Sequence, residues 1–292
     1  MNGISAAHSI GIIGTGRVAQ ALALALGKHS SALPLIWGRS TDKSKEAATR
    51  IGHAKAVDTL SSLASSSDIV AIAVSDDAVG PIAARLAPLL HGSDRTPFVF
   101  HVSGRSGTAI LDPLREMGAL TAAIHPAMTF TGNPREEVVR MAGACFAVTG
   151  SSDLASDLGK RIVSLLGGNA VEIAEDRRAL YHAALCHAAN HLVTLLEGSS
   201  QILSAAGVHE PHAVLAPLVR AAMENSLTHG FDALSGPVLR GDRETIAGHI
   251  AALGEYCSQA LPAYRAMALA TIDELEAREA PVPLAAVREE LG

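Results

Sequence analysis

The chain has 292 residues, of which 48% are hydrophobic and only 3% aromatic, and its formal net charge is −6. A chain of this length can bury a substantial core and favours two domains, and its apolar content excludes a disordered protein. Lysine and arginine form no dense block, so neither a nucleic acid nor an anionic membrane is expected as a partner.

The cysteines and the first residues indicate the compartment. Cys145, Cys186 and Cys257 are widely spaced and odd in number, which favours neither a disulfide framework nor a Cys-x-x-Cys metal site. The segment from Met1 to Ser9 lacks the basic region of an export signal, and no uninterrupted apolar run approaches the roughly 18 residues of a membrane span. We therefore expect a cytoplasmic protein without a membrane partner.

A glycine-rich turn follows the first apolar run, Ile10–Ile13. A predicted strand and an alanine- and leucine-rich helix flank it, which is the context in which a G-x-G-x-x-A pattern predicts dinucleotide binding. Gly14 allows the turn, Gly16 leaves room for a pyrophosphate, and Ala19 lets the helix lie close to the strand. The predicted cofactor-binding residues here are Gly14, Thr15, Gly16, Arg17, Val18 and Ala19. The alternative is an ordinary glycine turn in a βα unit.

The end of the second predicted strand, Leu33–Trp37, indicates which dinucleotide binds. About 20 residues past the glycine turn, an NAD-selective fold places an acidic side chain on the ribose 2′-hydroxyl, and Gly38 takes that place here. Arg39 offers a fork of donors to a 2′-phosphate, and Ser40 offers a hydroxyl. We therefore predict NADP as the cofactor. The alternative is that Ser40 only caps the next helix while Arg39 is solvated.

Strands continue to alternate with helices as far as residue 174, which predicts an α/β domain with a doubly wound, mainly parallel sheet. The further predicted strands are Ala54–Val57, Asp68–Val74, Pro97–His101, Ala119–Ile124, Cys145–Val148 and Val171–Ile173. Loops beyond the carboxyl ends of such strands bind ligands. The residues predicted to contact the cofactor from these loops are Val74, Ser75, Asp76 and Ser103, although Asp76 could equally cap a helix. His125 precedes a proline, which places it in a strand-end loop on the ligand side.

The chain changes character near residue 175, where strand signals end and helical spacing begins. We predict a Rossmann domain over residues 1–174 and an all-helical domain, for substrate binding or dimerisation, over residues 175–292. One continuous helix is predicted over Arg177–Glu197. On it His182, Cys186 and Asn190 recur at intervals of four and therefore share a face.

Two features of the second half allow more than one interpretation. His187 and His191 have the spacing of a zinc-binding helix, but an alanine replaces the glutamate of H-E-x-x-H and no third ligand is identifiable. Packing or an oligomer interface is favoured, and no metal is predicted. Asp242 is predicted to cap a helix over Arg243–Leu253. Arg240, on a chain bend, is either a clamp for a substrate carboxylate or a solvated side chain.

Taken together, these motifs resemble the 6-phosphogluconate-dehydrogenase-like superfamily over nearly the whole chain. Within it the chain is most similar to a bacterial group of Rossmann-like oxidoreductases with a C-terminal domain of unassigned function. The motifs that carry the resemblance are the glycine turn, Arg39-Ser40, His101-Val102-Ser103-Gly104, His125-Pro126, Tyr181-His182 with Asn190, and Gly236-Pro237 with Arg240-Gly241-Asp242. The resemblance implies a homodimer joined through the helical domain.

Related families are the pyrroline-5-carboxylate reductases, ketopantoate reductases, prephenate dehydrogenases and β-hydroxyacid dehydrogenases. The β-hydroxyacid dehydrogenases have a lysine and an asparagine four residues apart on a long helix. Asn190 matches that asparagine here, but Cys186 stands where the lysine would be. This difference argues against a β-hydroxyacid dehydrogenase.

The resulting hypothesis is an NADPH-dependent reductase of a small carbonyl or imine compound, in which the protein positions the acceptor and manages one proton. His182 is the first candidate for the proton donor because imidazole titrates near neutrality, and His125 is the second. Asn190 would orient the substrate or the nicotinamide amide, and Arg240 would anchor a carboxylate. The missing lysine also supports a non-catalytic NADP-binding sensor or scaffold. Transfer between NADP and a deazaflavin coenzyme is a third possibility.

Overall fold

The computed structural model describes residues 8–91 and 96–292. Its contacts divide the chain into two compact units, one ending at Leu185 and one beginning at Cys186. The predicted boundary after residue 174 lies before this division, between the last strand, which ends at Glu172, and the helix Arg178–Leu185, which belongs to the first unit. The export-signal prediction concerns residues 1–9, which fall mostly outside the described part of the chain. No helix within the described ranges is long and apolar enough to cross a membrane.

The first unit is built on one sheet. Its strands are β1 (Ile10–Ile13), β2 (Leu35–Trp37), β3 (Lys55–Ala56), β4 (Ile69–Ile72), β5 (Phe98–His101), β6 (Leu120–Pro126), β7 (Cys145–Gly150) and β8 (Asn169–Glu172). They form an eight-stranded sheet in the order β3-β2-β1-β4-β5-β6-β7-β8. Neighbouring strands are parallel except β6 and β7, which run antiparallel. The predicted α/β class with a doubly wound, mainly parallel sheet is confirmed.

Helices cover both faces of this sheet. They are α1 (Arg17–Gly27), α2 (Thr41–Ile51), α3 (Leu60–Ser65), α4 (Asp76–Leu90), α5 (Asp112–Arg115), α6 (Pro134–Met141) and α7 (Asp153–Leu165). The helix α8 (Arg178–Leu185) ends the first unit. Successive strand residues point to opposite faces, so Ile12 packs in one layer with α1, α2, α6 and α7, while Ile13 packs in the other with α3, α4 and α5. Burial on both faces explains why β4 is a continuous apolar run.

The strand order sets the place where a ligand can bind. The chain leaves β1 toward β2 on one side and later returns to β4 on the other side, so the order reverses between β1 and β4. In doubly wound sheets the crevice beyond the carboxyl ends of the strands at such a reversal is the usual ligand site. The glycine turn follows β1 directly and therefore lies at this crevice.

The second unit is helical. Its α-helices are α9 (His191–Ala205), α10 (Pro211–His229), α11 (Arg243–Tyr256), α12 (Leu261–Ala277) and α13 (Ala285–Leu291). A buried apolar cluster joins α11, α12 and α13 through Ile246, Ile272 and Val287. Asp242 caps α11, and its side chain accepts a hydrogen bond of 3.1 Å from the Thr245 backbone N–H. The predicted N-cap is confirmed.

The chain is helical without a break over nearly all of the predicted helix Arg177–Glu197, but it is not α-helical throughout. A 3₁₀ turn (Glu175–Arg177) precedes α8, and a π-helical turn (Cys186–Asn190) separates α8 from α9. A π turn forms i to i+5 hydrogen bonds, and such turns are frequent at functional sites. The prediction of one uninterrupted α-helix is wrong because apolar spacing does not reveal a change in the hydrogen-bonding step.

Candidate functional site

A cavity of about 440 Å³ lies beyond the carboxyl ends of β1, β2 and β4. This is the reversal point of the strand order. Of the residues predicted to bind the cofactor, those that line the cavity are Gly14, Thr15, Gly16, Arg17, Val18, Arg39, Val74 and Ser75. The cavity has a volume typical of small-molecule and cofactor sites.

The two glycines of the turn differ in what surrounds them. Gly14 has a φ of +129°, and a Cβ there would overlap the Ala73 carbonyl oxygen, so only glycine fits. At Gly16, by contrast, no heavy atom of the described residues lies within 4 Å of the Cβ position. Gly16 is also the N-cap of α1, and no side chain in the described chain caps its amides. An open space above uncapped N–H groups fits the pyrophosphate of a dinucleotide.

The lining of the cavity also includes an aromatic ring and the cationic side chain of Arg39. Trp37 lines the cavity, and the Arg85 guanidinium carbon lies 5.3 Å from the centroid of its ring. Arg39 is exposed at the same wall. Ser40 caps α2, and its hydroxyl accepts a hydrogen bond of 3.3 Å from the Lys43 backbone N–H. The capping role considered for Ser40 is confirmed, and a contact with the cofactor stays a prediction.

Three other predicted cofactor residues have protein partners. Ala19 is buried in the layer between α1 and the sheet. Asp76 lies in the first turn of α4 and forms an ion pair of 3.2 Å with Arg105. Ser103 is buried, and its hydroxyl accepts a hydrogen bond of 3.2 Å from the Ser106 backbone N–H. These contacts give each residue a structural role whether or not a cofactor binds.

A cluster of ring side chains adjoins the loop that follows β5. His125 lies near the carboxyl end of β6. Its Nδ1 atom is 3.0 Å from the Tyr181 hydroxyl oxygen. Its ring centroid lies 6.0 Å from that of His182, with the two rings nearly perpendicular. A Cβ at Gly104 would overlap the His182 ring and would lie 3.0 Å from Nε2 of His125. Glycine therefore lets this loop approach both histidines closely, and Val102, two residues earlier, lines the cavity.

The structure thus brings two predicted site residues, His125 and His182, into one cluster. It also corrects the surroundings of His125, because both His125 and Pro126 are paired in β6, opposite β7, and do not lie in a loop.

Burial controls the protonation of the cluster. The pKa of His125 is lowered to about 4, mainly by burial and also by the Arg178 guanidinium and His182. Burial also raises the pKa of the Tyr181 hydroxyl, although the charge of Arg178 opposes this. At neutral pH His125 is therefore a neutral imidazole and Tyr181 a neutral phenol. Tyr181 can donate its proton to His125 or to another acceptor placed beside it.

Two buried side chains support the loop after β5. His101 is fully buried, its Nδ1 accepts a hydrogen bond of 3.1 Å from the Ser103 N–H, and its Nε2 lies 2.8 Å from the Gly107 carbonyl oxygen. This pattern requires the Nε2–H tautomer. Desolvation lowers the pKa of His101 to about 4, even though the Gly107 carbonyl favours the charged form. Arg178, only 1% exposed, donates hydrogen bonds to the carbonyl oxygens of Ser103 and Ser106.

Glu175 anchors the same loop from the other side. Its carboxylate accepts hydrogen bonds from the backbone amides of Thr108 and Ala109, at 2.7 and 3.1 Å. Burial acts to raise the pKa of Glu175, but these hydrogen bonds lower it below its usual value. Glu175 is therefore ionised at neutral pH and caps the 3₁₀ turn Thr108–Leu111.

Sequence reasoning overlooked several of these residues. Tyr181 entered only as part of a family motif, and Arg178, Trp37 and Phe130 were not singled out. Phe130 lines the cavity, and its carbonyl oxygen accepts a hydrogen bond of 2.9 Å from Arg17. Tyr181 could have been found as a titratable side chain next to a predicted catalytic histidine. Nothing in the local sequence distinguishes Arg178 from its exposed neighbour Arg177.

The other predicted catalytic residues, Asn190 and Arg240, belong to the second unit. Asn190 ends the π-helical turn, and Arg240 is exposed on the bend before Asp242. His187 and His191 are exposed, and their Nδ1 atoms are 3.1 Å apart. Among the described residues, no group of three or more histidine, cysteine, aspartate or glutamate side chains could hold a metal ion.

Comparison with known families agrees with this architecture. Residues 3–126 match the model of a Rossmann-like domain, and residues 144–271 match the model of a domain of unknown function, DUF2520. The first match lies in the N-terminal part of the chain and the second in the C-terminal part, and each covers less than half of the chain. No curated protein matches the chain.

Solved structures with the same fold span nearly the whole chain. A Bacteroides fragilis protein described as a candidate NADP oxidoreductase is 19% identical, with a TM-score of 0.74 over 93% of this chain and 100% of its own. An imine reductase from Myxococcus stipitatus in complex with NADP+ is 19% identical, with a TM-score of 0.66 over 97% and 99%. A reductive aminase from Aspergillus terreus in complex with NADPH and ethyl levulinate is 16% identical, with a TM-score of 0.64 over 91% and 94%. At these identities the similarity establishes the fold.

Proposed function

We propose that this chain is an NADP-dependent oxidoreductase that transfers a hydride between NADPH and a small carbonyl or imine compound, one that carries a carboxylate. The observation that carries the proposal is the cavity at the strand reversal, with Gly16 open above the uncapped start of α1. Similarity in fold to NADP-binding reductases supports it.

The residues present fit the proposed cofactor. The glycine turn and the first amides of α1 would hold the pyrophosphate, and Arg39 with Ser40 would hold the 2′-phosphate. Trp37 offers an apolar wall near the second of these sites. When bound, the nicotinamide supplies the hydride. The chain's own residues must then exclude water, orient the acceptor and provide a proton.

Reduction of a carbonyl adds a hydride to carbon and a proton to oxygen, so the protein must deliver one proton per turnover. The cluster of His125, Tyr181 and His182 is the proposed source. Since the pKa of His125 lies near 4, His125 serves as a neutral hydrogen-bond partner for Tyr181 at neutral pH. His182 remains our first candidate for the donor, and Tyr181 joins it because its hydroxyl carries a proton over the whole physiological range.

Two further roles extend the proposal to the second unit. Asn190 would orient the substrate or the nicotinamide amide, and Arg240 would bind the substrate carboxylate. Both roles rest on residue type and on the family resemblance. Replacing Arg240 by alanine should raise the KM for a carboxylate-bearing substrate while leaving the affinity for NADPH unchanged.

We also propose that the second unit forms a homodimer with a second copy of the chain. In α9, all of which is described, no residue is buried, and in α10 only Pro211 is buried. Val193, Leu218 and Leu227 on these helices are 68%, 63% and 82% exposed. Apolar side chains left exposed on two helices in this way favour a protein interface. A second copy would cover the same helices on both chains.

The decisive experiment measures binding and turnover separately. Purified protein is titrated with NADPH and NADH, and the oxidation of each is then followed with 2-keto acids, β-keto acids, cyclic imines and aldehydes. Oxidation of NADPH with one class of acceptor would establish the reductase and its chemistry. Tight binding of NADPH with no turnover would favour the non-catalytic sensor instead.

Substitutions at His182 and Tyr181 test whether the cluster of His125, Tyr181 and His182 contributes to the proposed reductase activity. His182→Ala and Tyr181→Phe should each lower kcat while the dissociation constant of NADPH stays within a factor of about two, since neither residue lines the cavity. His53→Ala, at an exposed histidine in the loop after α2, is the matched control. Wild-type kinetics in His182→Ala and Tyr181→Phe would remove the cluster from the mechanism.

A further inference from the structure

Arg178 is an unusual residue for the interior of a protein. Its side chain is among the largest that are fully buried, and burial lowers its pKa from the usual value without neutralising it. A buried guanidinium costs several kcal/mol in lost hydration unless its N–H groups find good partners. The partners of Arg178 therefore indicate what the charge stabilises.

The hydrogen bonds of Arg178 link separate parts of the first unit. Its Nη2 donates to the Ser103 carbonyl oxygen at 2.6 Å, and its Nε donates to the Ser106 carbonyl oxygen at 3.1 Å. Its Nη1 lies 3.3 Å from the Ala147 carbonyl oxygen and 3.4 Å from the Thr149 hydroxyl. The loop after β5, strand β7 and helix α8 are thus joined through one planar group.

These partners surround the candidate site. Ala147 lies directly opposite His125 in the β6–β7 pair, and Gly104, at which a Cβ would meet both histidines, lies between Ser103 and Ser106. The guanidinium carbon of Arg178 lies 5.8 Å from the centroid of the Tyr181 ring. Arg178 is therefore connected to each of the elements that carry the cluster.

We propose that Arg178 is a positioning residue, whose guanidinium holds the Ser103–Ser106 loop and the Tyr181 ring so that the Tyr181 hydroxyl meets His125. The proposal rests on the proposed function only for its catalytic consequence. A lysine cannot replace the arginine, because its single ammonium group cannot donate to carbonyls on two different elements in a planar arrangement.

The charge of Arg178 also acts on both partners of the Tyr181–His125 hydrogen bond. It disfavours the imidazolium of His125, as do His182 and His101, whereas Asp76 favours it. The net result is an imidazole that stays neutral and can accept a hydrogen bond from the Tyr181 hydroxyl.

The same charge makes Tyr181 more acidic than burial alone would leave it. Burial and Cys145 raise the pKa of Tyr181, and Arg178 lowers it. Removing the charge should therefore raise the pKa values of both His125 and Tyr181.

The first test needs neither cofactor nor turnover. The pKa of His125 is measured by NMR titration of its ring in the wild type and in Arg178→Gln, with His125→Gln for assignment. We expect Arg178→Gln to raise this pKa by about one unit, because a nearby positive charge is lost. The matched control is Arg177→Gln, at an exposed arginine whose ion pair with Asp176 lies at the surface. An equal pKa of His125 in Arg178→Gln and Arg177→Gln would overturn the proposal.

The second test separates geometry from charge. Arg178→Lys keeps the charge and loses the planar fork, so kcat should fall by about 10- to 100-fold while the dissociation constant of NADPH is unchanged. If Arg178→Gln fails to fold, Arg178→Lys decides alone: a wild-type kcat together with a wild-type pKa of His125 would refute the positioning role. A shifted His125 pKa in a protein without reductase activity would refute the proposed function and leave the arrangement around Arg178 established.

Discussion

The sheet of the first unit and the helices α9 and α10 of the second place their apolar residues in opposite ways. In the sheet, Ile12, Ile13 and Val70 are fully buried under helices from the same chain. In α10, Leu218 and Leu227 are among the more exposed apolar residues of the described chain. The apolar residues of the sheet are thus buried by helices of the same chain. The apolar side chains of α9 and α10 are left largely exposed by their own chain.

The same contrast holds for the titratable residues. His101 is fully buried and forms two hydrogen bonds, while His187 and His191 are exposed. Chemistry that depends on a perturbed pKa is therefore expected in the first unit, and association of copies in the second. Four predictions test this difference.

The largest effect is expected at the glycine turn. Gly14→Ala places a Cβ on the Ala73 carbonyl in a backbone conformation that favours glycine, which should lower the free energy of unfolding by about 3–5 kcal/mol. Gly16→Ala, with open space at the Cβ position, is the matched control for folding. It should keep the wild-type melting temperature and lose at least about tenfold in NADPH affinity by obstructing the pyrophosphate. A Gly14→Ala variant as stable as Gly16→Ala would contradict this account.

The buried histidines should make the first unit sensitive to acid. The pKa of His101 is about 4 in the folded state, against the ordinary histidine value of 6.5 in the unfolded chain, so the unfolded chain binds more protons between these values. Stability should therefore fall as the pH decreases from about 6.5 toward 4, by up to about 3 kcal/mol for this residue. Urea unfolding between pH 7 and 4.5 measures the slope. His101→Asn should flatten it and His187→Ala should not, and equal slopes in all three proteins would rule out His101 as the cause.

A charge on α10 should separate the proposed dimer. Leu218→Glu places a carboxylate on the exposed apolar surface, and we expect the dimer dissociation constant to rise by about 30-fold, or about 2 kcal/mol. Analytical ultracentrifugation of the full chain measures this. Leu154→Glu, at a leucine of α7 that is 59% exposed, should leave the mass unchanged. A wild-type protein that is monomeric at all concentrations would refute the dimer.

The smallest effect is expected at the edge of the cavity. Arg39→Ala should weaken NADPH binding by about tenfold, which is the contribution of one charge-assisted hydrogen bond, and should leave NADH binding unchanged. Arg50→Ala, in the last turn of α2, is the control for a general loss of positive charge. An equal loss of affinity for both dinucleotides would show that Arg39 does not select the 2′-phosphate.

Much of the first unit could be predicted from local sequence. The apolar runs at Ile10–Ile13 and Ile69–Ile72 are strands, Ser40 is a cap, and the α/β class is confirmed. In the second unit, Asp242 is a cap as predicted. Each of these features depends on residues close together in the chain. The antiparallel pairing of β6 with β7 could not be predicted, because it depends on the path of the connection and not on the composition of either strand.

Only part of the candidate site could be predicted, because contacts between distant residues decide the roles of the others. His125 and His182 were chosen as residue types suited to proton transfer, and the fold brings them together. Their partner Tyr181 was named only within a motif. Arg178 escaped notice because burial decides its role, and its neighbour Arg177 has the same side chain in solvent.

The sequence by itself therefore determined the strand-turn-helix unit, the glycine that the turn demands at position 14, and the change from sheet to helices near residue 175. These follow from backbone conformation and periodicity, which act over a few residues. Only the tertiary structure decided that β6 pairs antiparallel with β7 and that Arg178 is buried beside Tyr181. It also decided that the pKa of His125 is lowered by burial. Those outcomes depend on desolvation and on contacts between distant residues, and neither can be read from residues that are neighbours in the chain.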